Sequence, residues 1–179
     1  MKKTTDEMTS QQDAAGGTES AVRLGPGDAA PTFTLENHDG EQVHLSDHLG
    51  KVENVVVYFY PADDTPGCTK EACQFSENLA AFAASRADVI GISPDDAQSH
   101  RRFRDKYNLA ITLLSDPDHA VASRYGAWGT KTLYGRTTTG IIRSTFLIGA
   151  DGVILRSWYN VRADGHAEKV LEEIRSLGG

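Results

Sequence analysis

Residues 52–68 read VENVVVYFYPADDTPGC, and this stretch decides the fold. Val52 to Tyr60 is β-branched or aromatic at nearly every position and apolar on both faces, the pattern of a central strand buried on both sides. Pro61 cannot donate to a strand ladder and ends it. From about Pro66 the period changes, and Ala72, Phe75, Leu79, Phe82 and Ala83 recur at three- and four-residue spacing. That spacing predicts an amphipathic helix running to about Ser85. A buried strand, a short loop and a helix, in that order, are the opening half of a βαβ unit.

Working outward confirms the pattern. Asp88 to Ser93 is strand-like, and Ser93-Pro94-Asp95-Asp96 offers an N-cap, a proline at the first helical position and acidic residues for a helix to about Tyr107. Ile111 to Leu114 reads as a short strand, Pro117 to Tyr125 as a short helix and Gly126 to Gly140 as a glycine-bearing loop. Ile141 to Ile148 and Val153 to Tyr159 form a hairpin across Ala150-Asp151-Gly152, followed by a last helix from Gly165 to Leu177. Towards the N-terminus, Thr32 to Leu35 and Gln42 to Leu45 pair across Asn37-His38-Asp39-Gly40 as a β-hairpin. Met1 to Ser20 is polar, with little to bury, and reads as a disordered tail before a domain spanning 22–178. This order predicts an α/β domain whose central mixed sheet is parallel through the crossovers, antiparallel at the late hairpin and flanked by helices on both faces.

The chain has 179 residues, with 18 Lys plus Arg against 25 Asp plus Glu, a net charge of −7. It is long enough to fold on one core without covalent staples, which excludes a disulfide-framework miniprotein. The acidic balance gives no footprint for a phosphate backbone, so no nucleic-acid partner is expected. Arg101, Arg102 and Arg104 are interrupted by Phe103 and read as a solvated helix face. The longest apolar run, Val55 to Tyr60, is far short of the roughly 20 residues of a membrane span, so no membrane association is expected. Lys2 and Lys3 lead into no apolar segment of the kind a signal peptide needs. The expected location is the cytoplasm, where thiols stay reduced and a cysteine pair is more often catalytic than structural.

The chain has two cysteines. Cys68 lies at the predicted start of the helix, where free N–H groups and the positive end of the dipole favour an anion, and thiolate is the nucleophilic form. Cys73 is five positions on, which in a regular helix means a rise of about 7.5 Å and a Cα separation of about 8.6 Å. Disulfides seldom exceed about 6.8 Å between Cα atoms, so a bridge would require the first helical turn to unwind. Two buried cysteines acting as small core hydrophobes remain the plain alternative. A zinc pair would need two further ligands, and the histidines at 38, 44, 48, 100, 119 and 166 are scattered. The absence of C-x-x-C disfavours a dithiol exchanger.

Val55 to Cys73, VVVYFYPADDTPGCTKEAC, resembles the peroxiredoxins, and its C-x4-C form resembles the bacterioferritin-comigratory-protein or peroxiredoxin Q subfamily. Pro61, Thr65 and Cys68 meet the P-x-x-x-T-x-x-C signature. The likeness continues through GDAAPTFTLENHDGEQVHLSD, GISPDD, LLSDPDHAVASRYGAWG and RSTFLIGADGVI to the final helix. It implies a thioredoxin-like fold and a thiol peroxidase acting on hydrogen peroxide and organic hydroperoxides, with no metal, haem or flavin. Cys68 would be the peroxidatic cysteine and Cys73 the resolving one. The two would join in an intramolecular disulfide that thioredoxin or a similar dithiol reduces. Thr65 would hydrogen-bond the thiolate and the peroxide, Arg143 would supply the active-site cation, and Pro61 would shield the pocket. Gly67 would let the backbone approach, and its N–H and that of Cys68 would add donors. Glu71 would orient Arg143, although a first-turn carboxylate is favourable by charge alone. Trp128 matches a family position but reads as packing. A monomer is implied, since the resolving cysteine lies on the same helix. A thioredoxin-like redox-switch binding or holdase module is the competing function; it needs neither Arg143 nor Thr65 as an oxyanion donor.

Overall fold

The computed structural model describes residues 23–178. The expected tail at 1–20 lies outside them. One seven-stranded sheet runs in the order β2-β1-β5-β4-β3-β8-β9. Its middle is β3 (Asn54–Phe59), which pairs in parallel with β4 (Ala87–Ser93) and antiparallel with β8 (Ser144–Gly149). β4 continues in parallel to β5 (Thr112–Ser115), and β8 turns antiparallel into β9 (Ile154–Tyr159). The N-terminal hairpin of β1 (Thr34–Asn37) and β2 (Gln42–His44) extends the far edge through β5. This is the mixed α/β sheet expected, with the thioredoxin-like arrangement of its helices.

Alternation along β3 divides the core. Val56, Tyr58 and Tyr60 join the cluster formed with Phe75, Phe82, Phe103 and Val170, while Val55, Val57 and Phe59 join that of Val121, Tyr125 and Phe146. The first face is covered by α1 (Pro66–Glu77), α2 (Leu79–Ala84), α3 (Ala97–Tyr107) and α5 (His166–Gly178), the second by the short α4 (Ala120–Arg124). Val55 to Tyr60 are each at most 1% exposed, so the stretch that decided the fold is buried on both faces of the sheet. No helix among the described residues is long and apolar enough to cross a membrane.

Four local expectations give way to the structure. The helix expected to reach Ser85 breaks at Asn78, whose side chain and backbone N–H both donate to the Gln74 carbonyl. A short amide side chain that competes for helical acceptors ends one helix and begins the next. Asp96, not Ser93, caps α3, accepting from Ser99 N at 2.8 Å. Ser93 is still held in the ladder opposite Ser115, so the helix starts later. The expected loop at Gly126 to Gly140 is largely a second hairpin of β6 (Trp128–Leu133) and β7 (Arg136–Ile141). Tyr134 and Gly135 at its tip have φ of 55° and 76°, the left-handed pair of a tight hairpin turn. Finally, the strand expected from Ile141 begins only at Ser144, because Ile141 closes that hairpin; Ile142 and Arg143 lie between the two strands.

Candidate active site

Cys68 is the third residue of α1, with Thr65 as N-cap and Pro66 at the first helical position. Proline suits that place, since its missing N–H would have no helical partner there. The first helical bond of α1 runs from Thr69 N to Thr65 O at 2.8 Å. The N–H groups of Gly67 and Cys68 precede it and have no intrahelical acceptor. Thr65 does not cap them: its hydroxyl donates to the Ala62 carbonyl at 3.0 Å. The helix start therefore presents unclaimed donors beside a thiol that is 1% exposed.

Arg143 reaches this thiol from the gap between β7 and β8. Its Nη2 donates to Cys68 Sγ at 3.4 Å, while its Nη1 donates to Glu71 Oε1 at 2.6 Å. Glu71 sits one helical turn beyond Cys68 on the same face, with a side chain 0% exposed. Burial pushes its carboxyl up to about 7, against the downward pull of the guanidinium. Arg143 keeps its charge in spite of burial because Glu71 and Cys68 both favour it. Gly67 lies so near that a Cβ there would stand 3.2 Å from Nη2. Four residues named from the sequence, Cys68, Gly67, Glu71 and Arg143, thus form one cluster.

Cys73 has different surroundings. It is half-buried, and burial, helped by the nearby Glu77 carboxylate, raises its thiol above the ordinary value. It borders a cavity of about 370 Å³ lined also by Ser76, Tyr107 and Leu109. Both cysteines are free and α1 is continuous between them, matching the expectation that an intact helix keeps them apart. One thiol faces a cation and the other an anion.

Pro61 and Thr65 are half-buried in the loop that leads to Cys68. Trp128 packs, its ring stacked on His119 with centroids 3.6 Å apart. Arg101 and Arg102 are exposed, as a solvated helix face requires. Sequence reading passed over Lys131 of β6, whose ammonium donates to the Ile141 carbonyl at 2.6 Å and feels the charges of Arg143 and Cys68. It sits in the β6/β7 hairpin, where the sequence predicts a loop. No group of three or more His, Cys, Asp or Glu among the described residues could hold a metal ion.

The AhpC/TSA family pattern matches residues 26–157. The chain is 43% identical over 152 residues to the peroxiredoxin Bcp of Escherichia coli strain K12, covering 85% of this chain and 96% of that protein. It is 40% identical over 151 residues to the peroxiredoxin Bcp of Bacillus subtilis strain 168, covering 84% and 95%. Among solved structures, a variant of Xylella fastidiosa PrxQ superposes with a TM-score of 0.82 at 32% identity, over 89% of this chain and all 100% of that one. The Xanthomonas campestris bacterioferritin comigratory protein, studied for its alkyl peroxide reduction, superposes with a TM-score of 0.76 at 35% identity, over 82% and 92%.

Proposed function

Because the chain belongs to the AhpC/TSA family, as a peroxidase of the Bcp peroxiredoxin type, we propose that it reduces hydrogen peroxide and alkyl hydroperoxides at Cys68 and regenerates itself through Cys73. The observation that carries this reading is the 3.4 Å contact from the Arg143 guanidinium to a buried thiol at the start of α1. A nearby fixed cation and free N–H groups favour the charge that grows on a leaving oxygen.

The chemistry follows from these groups. Thiolate sulfur attacks the terminal oxygen of the hydroperoxide, the O–O bond breaks, and the departing alkoxide or hydroxide takes up a proton and leaves as alcohol or water. Sulfur is oxidised by two electrons to sulfenic acid. Arg143 and the N–H groups of Gly67 and Cys68 stabilise the developing anion, and a rotation of Thr65 from the Ala62 carbonyl would turn its hydroxyl toward the reacting atoms. Pro61 limits water at the mouth. The first turn of α1 then unwinds, Cys73 sulfur displaces the sulfenic oxygen as water, and an intramolecular disulfide forms. Thioredoxin or a similar dithiol reduces it. A monomer suffices, because both cysteines lie on one helix.

Two variants test the reading. Cys68→Ser should abolish peroxide consumption, and Cys73→Ser should complete one oxidation of Cys68 yet fail to cycle with thioredoxin. Undiminished steady-state peroxidase activity in Cys68→Ser would overturn it.

A further inference from the structure

The loop between Pro61 and Thr65 is not free. Asp63 lies in its middle with a side chain 4% exposed, and its carboxylate has three side-chain partners. Tyr60 Oη donates to Oδ1 at 2.6 Å, Ser99 Oγ to Oδ2 at 2.8 Å, and His100 Nδ1 lies 2.7 Å from Oδ2. The other ring nitrogen of His100, Nε2, is 3.0 Å from the Leu114 carbonyl, which can only accept. Nε2 therefore donates to that carbonyl, and the fully buried ring ties Asp63 to β5. The backbone N–H of Asp63 is also claimed, by Asp95 Oδ2 at 2.7 Å.

Asp64, the next residue, has φ of 59°, a left-handed conformation that costs a non-glycine residue free energy unless its surroundings hold it. Lys106 Nζ donates to Asp64 Oδ2 at 2.8 Å and Tyr107 Oη to Oδ1 at 2.6 Å. Ser99, His100, Lys106 and Tyr107 recur at helical spacing and so share one face of α3. Two adjacent carboxylates thus grip one helix at both ends of a single face, and Thr65 follows immediately.

We propose that Asp63 and Asp64, gripped by α3, form a positioning clamp that sets the Thr65 to Cys68 turn in its peroxide-reactive geometry, with His100 as the central residue. The clamp touches neither substrate nor sulfur. It acts by holding the chain that delivers the helix start, and displacements of about 1 Å at a reacting centre can cost about a hundredfold in rate. The inference rests on Cys68 being the reacting thiol.

The test is the bimolecular rate of Cys68 oxidation by hydrogen peroxide, followed by stopped flow on the fully reduced protein at 25 °C. His100→Gln and Asp63→Asn should each slow it about tenfold or more. Val121→Ala, in the core on the opposite face of the sheet, lowers stability without touching the loop and should leave the rate unchanged. Should the buried variants fail to fold, the exposed half of the clamp decides. Asp64→Gly keeps the left-handed backbone but loses both acceptors and should slow oxidation, whereas Asp64→Asn tolerates that backbone, keeps an acceptor and should restore most of the rate. Rates within about twofold of the parent in His100→Gln and Asp64→Gly would overturn the clamp alone. If the parent formed no sulfenic acid at Cys68, the reading beneath it would fall as well.

Discussion

Arg143 Nη1 donates to Glu71 Oε1 at 2.6 Å, joining a strand junction to a carboxylate on α1 whose side chain has no exposure at all. The same guanidinium places Nη2 3.4 Å from Cys68 Sγ, so one rigid fork spans orienter and nucleophile. A planar group with fixed donors can serve two partners at once, which a flexible ammonium cannot.

Arg143→Lys should therefore keep the positive charge yet lose the fork. The rate of Cys68 oxidation by hydrogen peroxide should fall about a hundredfold, the usual cost of removing one preorganised donor from a developing anion. Stopped-flow oxidation of the reduced variant checks this; a loss below about threefold would show that charge alone suffices.

Stability against pH should show two opposed slopes. Burial pushes Glu71 up to about 7 from 4.5, so in the folded protein it holds its proton longer; its contribution is full below 4.5 and is lost as pH rises through 7. Burial, helped by Lys169 and Arg143, presses His166 down to about 4 from 6.5, so its contribution is present above 6.5 and lost as pH falls through 4. Between about 4.5 and 6.5 the two should largely cancel in the parent. Glu71→Gln should expose a stability that falls on acidification, and His166→Gln one that rises. Urea midpoints across that range measure both, and parallel profiles in the two variants would refute the assignment.

Gly67→Ala separates function from stability. Alanine favours helix over glycine by up to about 1 kcal/mol, so the melting temperature should hold or rise. The new Cβ would stand 3.2 Å from Arg143 Nη2 and push the guanidinium aside. Cys68 oxidation should slow about tenfold, read by stopped flow beside a thermal melt.

Tyr58→Phe should do the reverse of a usual core substitution. The hydroxyl is buried without a hydrogen-bond partner, while the ring stacks on Phe75 with centroids 4.6 Å apart. Phenylalanine keeps the stacking and removes the unpaired oxygen, for a gain of about 1 kcal/mol by urea denaturation.

What was legible in the sequence follows from its range. The central strand, its end at Pro61 and the helix start at Pro66 each rest on a few neighbouring residues. The hairpin of β6 and β7 escaped because most of its residues are half-buried or exposed, so threonines and glycines replaced the alternation by which a strand is recognised. The break at Asn78 was hidden by an apolar stripe that continues on both sides of it. Nothing local to Asp63 and Asp64 marks their contacts, since their partners on α3 lie more than thirty positions away.

The sequence by itself determined the mixed α/β sheet, the placing of Cys68 at a helix start and a five-residue spacing that an intact helix cannot bridge. Periodicity, breakers and helical geometry act over a few residues, so these features are written locally. Only the tertiary structure decided which charges meet each thiol. Arg143 stands 75 positions from Cys68 and 72 from Glu71, and it arrives there because β8 lies beside β3 in the sheet. Burial then set the Glu71 carboxyl and the Cys73 thiol, because desolvation depends on the whole packed fold rather than on neighbours in the chain.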